Sequence, residues 1–190
     1  MTRATYQLAI PALFAALLGS CGSTHGGNTF VVATKVIQPS GTIDATTKLV
    51  TNCIVSADSP EVLFPTFNGT DSLALGIALE NRLQAIATTR PESNDFVAEV
   101  VVVNYESTDG NSIAVPEQRL PVQGFVAAGN KGAVYGTLIP AVLGSGALKG
   151  KTVRVHLYVV GRLNDGSTVK SSDYEFIAVS GPVTTTCVGK

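Results

Sequence analysis

Thr152 to Ser180 reads TVRVHLYVVGRLNDGSTVKSSDYEFIAVS. Val153, Val155, Leu157, Val159 and Leu163 take one face of this stretch, and Arg154, His156, Tyr158 and Arg162 take the other. A period of two is the mark of a strand with one buried face. Asp165-Gly166 follows and suits a two-residue type I′ turn. With that turn, the returning strand sets Val155 opposite Phe176, Leu157 opposite Tyr174 and Val153 opposite Ala178, so apolar meets apolar on the inside. Outside, His156 faces Glu175 and Tyr158 faces Asp173. A three-residue loop slips the pairing by one and buries Glu175 against Val155. The alternation therefore specifies the register, and with it the two-residue turn.

The rest of the chain repeats this pattern. Short apolar runs are separated by turn signals, as in an all-β domain. Strands are expected at Phe30–Ile37, around Leu49–Val55, at Phe96–Glu106, at Arg119–Ala127 and at Ala133–Ile139. Pro121 places the fourth of these at an edge or a strand start, because proline cannot donate to a ladder. Ser72–Leu83 fits a strand or a helix, and Gly76 in its middle tips the reading to strand. Turns fall at Asn68–Asp71, Ser107–Asn111 and Gly129–Gly132. Pro140–Gly150 is a connection rich in Gly and Ala with room for one helical turn. Composition agrees: 24 Val and 20 Thr stand against one Met and no Trp, and β-branched side chains fit a pleated surface.

Charge excludes several classes of function. Only 14% of the 190 residues are charged and the net charge is −1, against about 25% charged in a typical chain. No basic excess exists to follow a nucleic-acid backbone. The about seven strands and their buried centre suggest an antiparallel β-sandwich, and the final hairpin resembles the last two strands of a fibronectin type III domain. The fold expected is thus all-β, an immunoglobulin/fibronectin type III-like sandwich with additional N-terminal strands. The immunoglobulin Trp is missing. Leu79–Leu83 and Arg90–Asn94, followed by a Val-rich strand, also look like lipoproteins of unknown function that share such a sandwich; that likeness brings no activity.

The N-terminus has a different character. Arg3 precedes an eleven-residue apolar run, Leu8–Leu18, broken only by Pro11. That is the length of a signal peptide, short of the about 20 residues a spanning helix needs. Leu18-Gly19-Ser20-Cys21 then resembles the lipobox of bacterial lipoproteins. The resemblance implies cleavage after Ser20 and acylation of Cys21 through its thiol. Gly22, where an inner-membrane retention signal would place Asp, leans the expectation towards the outer membrane. Residues 1–20 are read as signal, 21–29 as lipidated Cys and flexible tether, and 30–190 as one sandwich domain. His25 lies in the tether and has no partner for a metal nearby.

Three cysteines are odd in an exported chain until Cys21 is given to the lipid. Cys53 and Cys187 then form an even pair in an oxidising compartment, and a disulfide between them is expected. No metal site, cofactor motif, GxSxG or P-loop is present. Asp58, Glu61 and Asp71 match no known calcium loop. A Ser-His-Asp triad would have to use His156, which sits on an outward sheet face. Gly144-Ser145-Gly146 lacks the strand–turn–helix context of a nucleophile elbow. The expectation is therefore a non-enzymatic, lipid-anchored envelope protein that presents a sandwich for binding or structure. Its partners are the membrane, through Cys21, and a possible envelope protein. An accessory subunit of an outer-membrane or secretion assembly is the alternative, and a hydrolase with an unrecognised site the weaker one. Arg154, His156, Tyr158 and Arg162 form the candidate contact surface, since Tyr and Arg are favoured at interfaces. A second candidate is the small-residue face Ala74, Gly76 and Ala78, where another stretch of backbone, most simply the protein's own, can approach.

Overall fold

The computed structural model describes residues 30–43, 50–85, 94–109 and 113–182. In chain order the elements are β1 (Val31–Ile37), β2 (Ser40–Ile43), β3 (Val50–Ile54), β4 (Thr66–Phe67), β5 (Leu73–Asn81), β6 (Phe96–Ser107), β7 (Gln118–Val126), β8 (Lys131–Ile139), α1 (Ala141–Ser145), β9 (Thr152–Leu163), β10 (Thr168–Lys170) and β11 (Tyr174–Ser180). The all-β expectation holds, and Ser72–Leu83 resolves to a strand. Among the described residues no helix is long and apolar enough to cross a membrane.

The two sides of the core belong to one sheet. It has nine strands in the order β1-β5-β8-β7-β6-β9-β11-β4, with β10 added beside β9, while β2 and β3 form a separate ribbon. Every pairing in the nine-stranded sheet is antiparallel except β11 with β4. The sheet curls until its inward residues face each other. Leu75, Ile77 and Leu79 of β5 share one buried cluster with Val101 and Val103 of β6, Val155, Leu157 and Val159 of β9 and Phe176 of β11. Full burial of such a side chain is worth about 1.5–3 kcal/mol.

Bulges and a glycine supply the curl. The β6–β9 register slips between Ala98 and Val100, leaving Glu99 as an extra residue on β6. Another slip between Ala33 and Lys35 leaves Thr34 extra on β1. An extra residue bends its strand and increases the local twist. Opposite Ala98, Gly161 lies so close to the neighbouring strand that a Cβ there would stand 2.2 Å from the Val97 carbonyl oxygen. Only glycine allows that approach. The short β7–β8 ladder runs from Val122 to Gly124, so Pro121 sits where it stops. Although β7 lies inside the sheet and Pro121 is its fourth residue, Pro121 is an edge position on the β8 side, which corrects the expectation of an edge strand or a strand start.

The final hairpin corrects the expected turn and keeps the expected register. Leu163 N–H donates to Ser167 O, closing a three-residue loop of Asn164, Asp165 and Gly166. Gly166 takes φ +84°, the left-handed residue such loops require. Asp165 accepts from the Ser167 N–H and hydroxyl at 2.8 and 2.6 Å, and these bonds hold its carboxyl below its usual range. This side-chain turn selects the three-residue loop. As a result β10 pairs in the slipped register, Thr168 with Arg162 and Lys170 with Val160. β11 nevertheless pairs Tyr174 with Leu157, Phe176 with Val155 and Ala178 with Val153. One extra residue between Lys170 and Tyr174 absorbs the difference.

The segment that holds it also helps close the sheet. Ser171 is fully buried; its N–H donates to Val159 O, and its hydroxyl accepts from Val159 N–H at 2.9 Å. Ser172 turns to the far edge of the sheet, where its N–H donates to Val31 O and its hydroxyl accepts from Ala33 N–H. β1 is thus tied to the segment beside β9 and β11. At one end the connection holding α1 covers the core with Leu148, and Gly69 packs on the Ser145 backbone.

Candidate functional site

The stripe Arg154, His156, Tyr158 and Arg162 lies on the outward side of β9, because the inward parity is taken by Val153, Val155, Leu157 and Val159. The antiparallel neighbours β6 and β11 bring carboxylates to it. His156 Nε2 is 3.3 Å from Glu106 Oε2 on β6, and its Nδ1 is 3.4 Å from Glu175 Oε2 on β11. Arg162 Nε is 3.1 Å from Glu99 Oε1 at the β6 bulge. Arg154 stands opposite Glu106 in the β6–β9 register. The expected His156–Glu175 pairing is present. Tyr158 differs from expectation: Lys170 Nζ lies 3.7 Å from its ring centroid, and Lys170 in turn reaches Asp173 at 3.0 Å. The slipped register of β10 sets Lys170 opposite Val160 and so brings this cation to the ring, which the assumption of a two-residue turn could not foresee.

Such exposed pairs are each worth about 0–1 kcal/mol. Together they make a surface whose charges are matched across strands.

The same geometry bears on catalysis. A His general base needs one nitrogen directed at a nucleophile and the other at an orienting acid. Here both ring nitrogens face carboxylates. Ser145 directs its hydroxyl to the carbonyls of Ala141 and Val142, at 2.9 and 3.3 Å within its own helix. Glu61 accepts from the Tyr174 hydroxyl at 2.9 Å. Burial, and next this bond to Glu61, push the Tyr174 phenol up to about 12. Among the described residues no three His, Cys, Asp or Glu side chains are grouped so as to hold a metal ion.

The small-residue face of β5 is covered by the protein's own chain. A Cβ on Gly76 would lie 2.6 Å from Ile37 and 2.9 Å from Val55, and Ala74 and Ala78 are buried.

Cys53, on β3, is half-buried and disulfide-bonded. Cys21, Cys187, the signal stretch and the tether with His25 lie outside the described residues.

One polar centre was not singled out from the sequence. Asn81, at the end of β5, is fully buried. Its amide donates to Asn94 O at 2.8 Å and Val126 O at 3.1 Å, and its Oδ1 accepts from Leu83 N–H at 3.1 Å. The available signal was an Asn ending an otherwise apolar strand. The sequence matches no protein-family model and no curated protein.

Proposed function

We propose that this chain is a bacterial lipoprotein, anchored by acyl chains on Cys21 and presenting a non-catalytic β domain in the cell envelope. The observation that carries the reading is Leu18-Gly19-Ser20-Cys21 at the end of an eleven-residue apolar run. It gains support from the position of β1, which starts at Val31 and leaves a small, polar stretch, Gly22–Thr29, between lipid and domain. Two or three acyl chains hold a protein on a bilayer stably, at about 0.8 kcal/mol per buried methylene. Gly22 favours the outer membrane. The immunoglobulin/fibronectin type III likeness belongs to this proposal too and rests on the β9–β11 hairpin.

The cysteines support one another in this reading. Cys53 is disulfide-bonded, and only Cys21 and Cys187 are left to partner it within the chain. A thiol that carries lipid cannot also form a disulfide, so acylation of Cys21 assigns Cys187 to Cys53.

The non-catalytic part is supported by His156, whose two nitrogens both face carboxylates. Docking of the chain to an assembly by addition to its β1 edge draws less support. Val31 O and Val36 O on that edge already accept from Ser172 and Val62 N–H.

Cys21→Ser tests the anchor. The variant should accumulate as an unprocessed precursor or leave the membrane fraction. If it stays on membranes with the wild-type mass, Cys21 is not the anchor.

A further inference from the structure

Three exposed apolar side chains gather at one end of the curled sheet. The register places them there: Val31 pairs with Asn81, Glu80 with Lys131, and Phe96 with both Val126 and Leu163. β1, β6 and β8 therefore begin where β5, β7 and β9 finish. Phe30 is 53% exposed, Val97 42% and Phe125 53%. Val97 and Phe125 are direct partners across β6 and β7. Beneath them the end is held firmly by the buried Asn81 amide, and by Asp95 Oδ1, which accepts from Ala128 N–H at 2.9 Å.

The chain towards Cys21 leaves from this same end. Phe30 O accepts from Arg82 N–H at 2.7 Å, which fixes the exit. Eight residues reach at most about 28 Å when fully extended. A bilayer holding the lipid on Cys21 is therefore within one tether length of the patch. The opposite end carries Val142, 73% exposed, on α1 between the finish of β8 and the start of β9.

We propose that the end bearing Phe30, Val97 and Phe125 docks onto the bilayer that holds the lipid anchor, with the aromatic rings at the boundary of headgroups and acyl chains. This rests on the lipoprotein reading. Phe on an interfacial apolar face enters that boundary by about 5–10 Å. Charges at this end are mixed in sign: Arg82 is paired with Glu80, Arg162 with Glu99, and Asp165 is exposed in its turn. Docking is therefore apolar and insensitive to salt and to the anionic lipid fraction.

The chain contains no Trp, so a single introduced indole reports alone. Full-length Phe125→Trp and Val142→Trp proteins are purified from membranes and reconstituted into phosphatidylethanolamine/phosphatidylglycerol vesicles, with and without brominated acyl chains. The expected result is a blue-shifted emission for Phe125→Trp, quenched by bromolipid several-fold more than Val142→Trp at low and high salt alike. Equal quenching at the two positions overturns the proposal. So does a blue shift that grows with protein density and ignores bromolipid, which signals a second copy on this face. Phe30→Trp gives the same reading should Phe125→Trp not fold. The mass of the N-terminal peptide from the same sample separates the two ideas. An acylated peptide with equal quenching sinks the docking face alone. An unacylated peptide sinks the anchor, while selective quenching in that sample still upholds the face and equal quenching removes both.

Discussion

Tyr105 shows how one side chain couples the core to pH. It is 7% exposed, and its hydroxyl donates to Leu138 O at 2.6 Å, joining β6 to β8 through the interior. Burial lifts its phenol well above the usual range, and burial also raises Tyr135. A phenol whose folded pKa is raised keeps its stabilising contribution below its unfolded value near 10 and loses it as pH climbs towards the folded value. Stability should therefore decline above about pH 10. Tyr105→Phe should cost about 1 kcal/mol at neutral pH by removing the hydrogen bond. It should also flatten the alkaline decline by up to about 1.4 kcal/mol per pH unit. Urea midpoints from pH 7 to 11.5 measure both, and an unchanged alkaline slope would refute the assignment. The sequence placed Tyr105 in a strand. It could not name Leu138, because no pattern within one strand specifies what lies across the core.

At the scale of elements, β9, β10 and β11 show two local demands answered together. Asp165, Gly166 and Ser167 demand a three-residue loop, while the alternation in β9 and β11 demands a pairing that such a loop forbids. The chain meets both by inserting one residue near Ser171 and Ser172. The register was legible because its error would bury Glu175 against Val155. The turn was not, since Asp-Gly serves both loop types and the Ser167 side chain decides between them. The repair relies on Ser171 filling in for backbone at Val159. Ser171→Ala should leave the buried Val159 N–H without an acceptor and destabilise by about 1–3 kcal/mol. Hydrogen exchange at Val159 should quicken along with it; a variant with wild-type exchange there would show that the hydroxyl is dispensable. The contact stripe was legible to the same extent. Its residues and their outward side follow from parity, and the His156–Glu175 pair follows from register. The carboxylates of β6 depend on a strand whose neighbours the sequence does not name, and the Lys170–Tyr158 contact depends on the length of the turn.

For the whole molecule, the proposed cysteine pairing bears on stability. A bridge from Cys53 to Cys187 closes nearly all of the domain, and loop entropy for that length is worth about 5 kcal/mol. Replacing both by Ser should lower the unfolding free energy by about 2–5 kcal/mol, read from urea denaturation. Two free sulfhydryls in the unreduced mature protein would remove the bridge itself. What the sequence determined alone was local: the all-β character, most strand positions, the pairing of β9 with β11 and the outward side of the stripe. Each follows from a period of two, which is a property of consecutive residues. The tertiary structure alone decided that one sheet supplies both sides of the core, that Ser172 ties β1 to the far side, and that Phe30, Val97 and Phe125 share one end of the sheet. Curvature comes from the bulges at Glu99 and Thr34 and the close approach at Gly161. Their effect depends on which strand lies alongside, and strand order is fixed only when the whole sheet closes over its core.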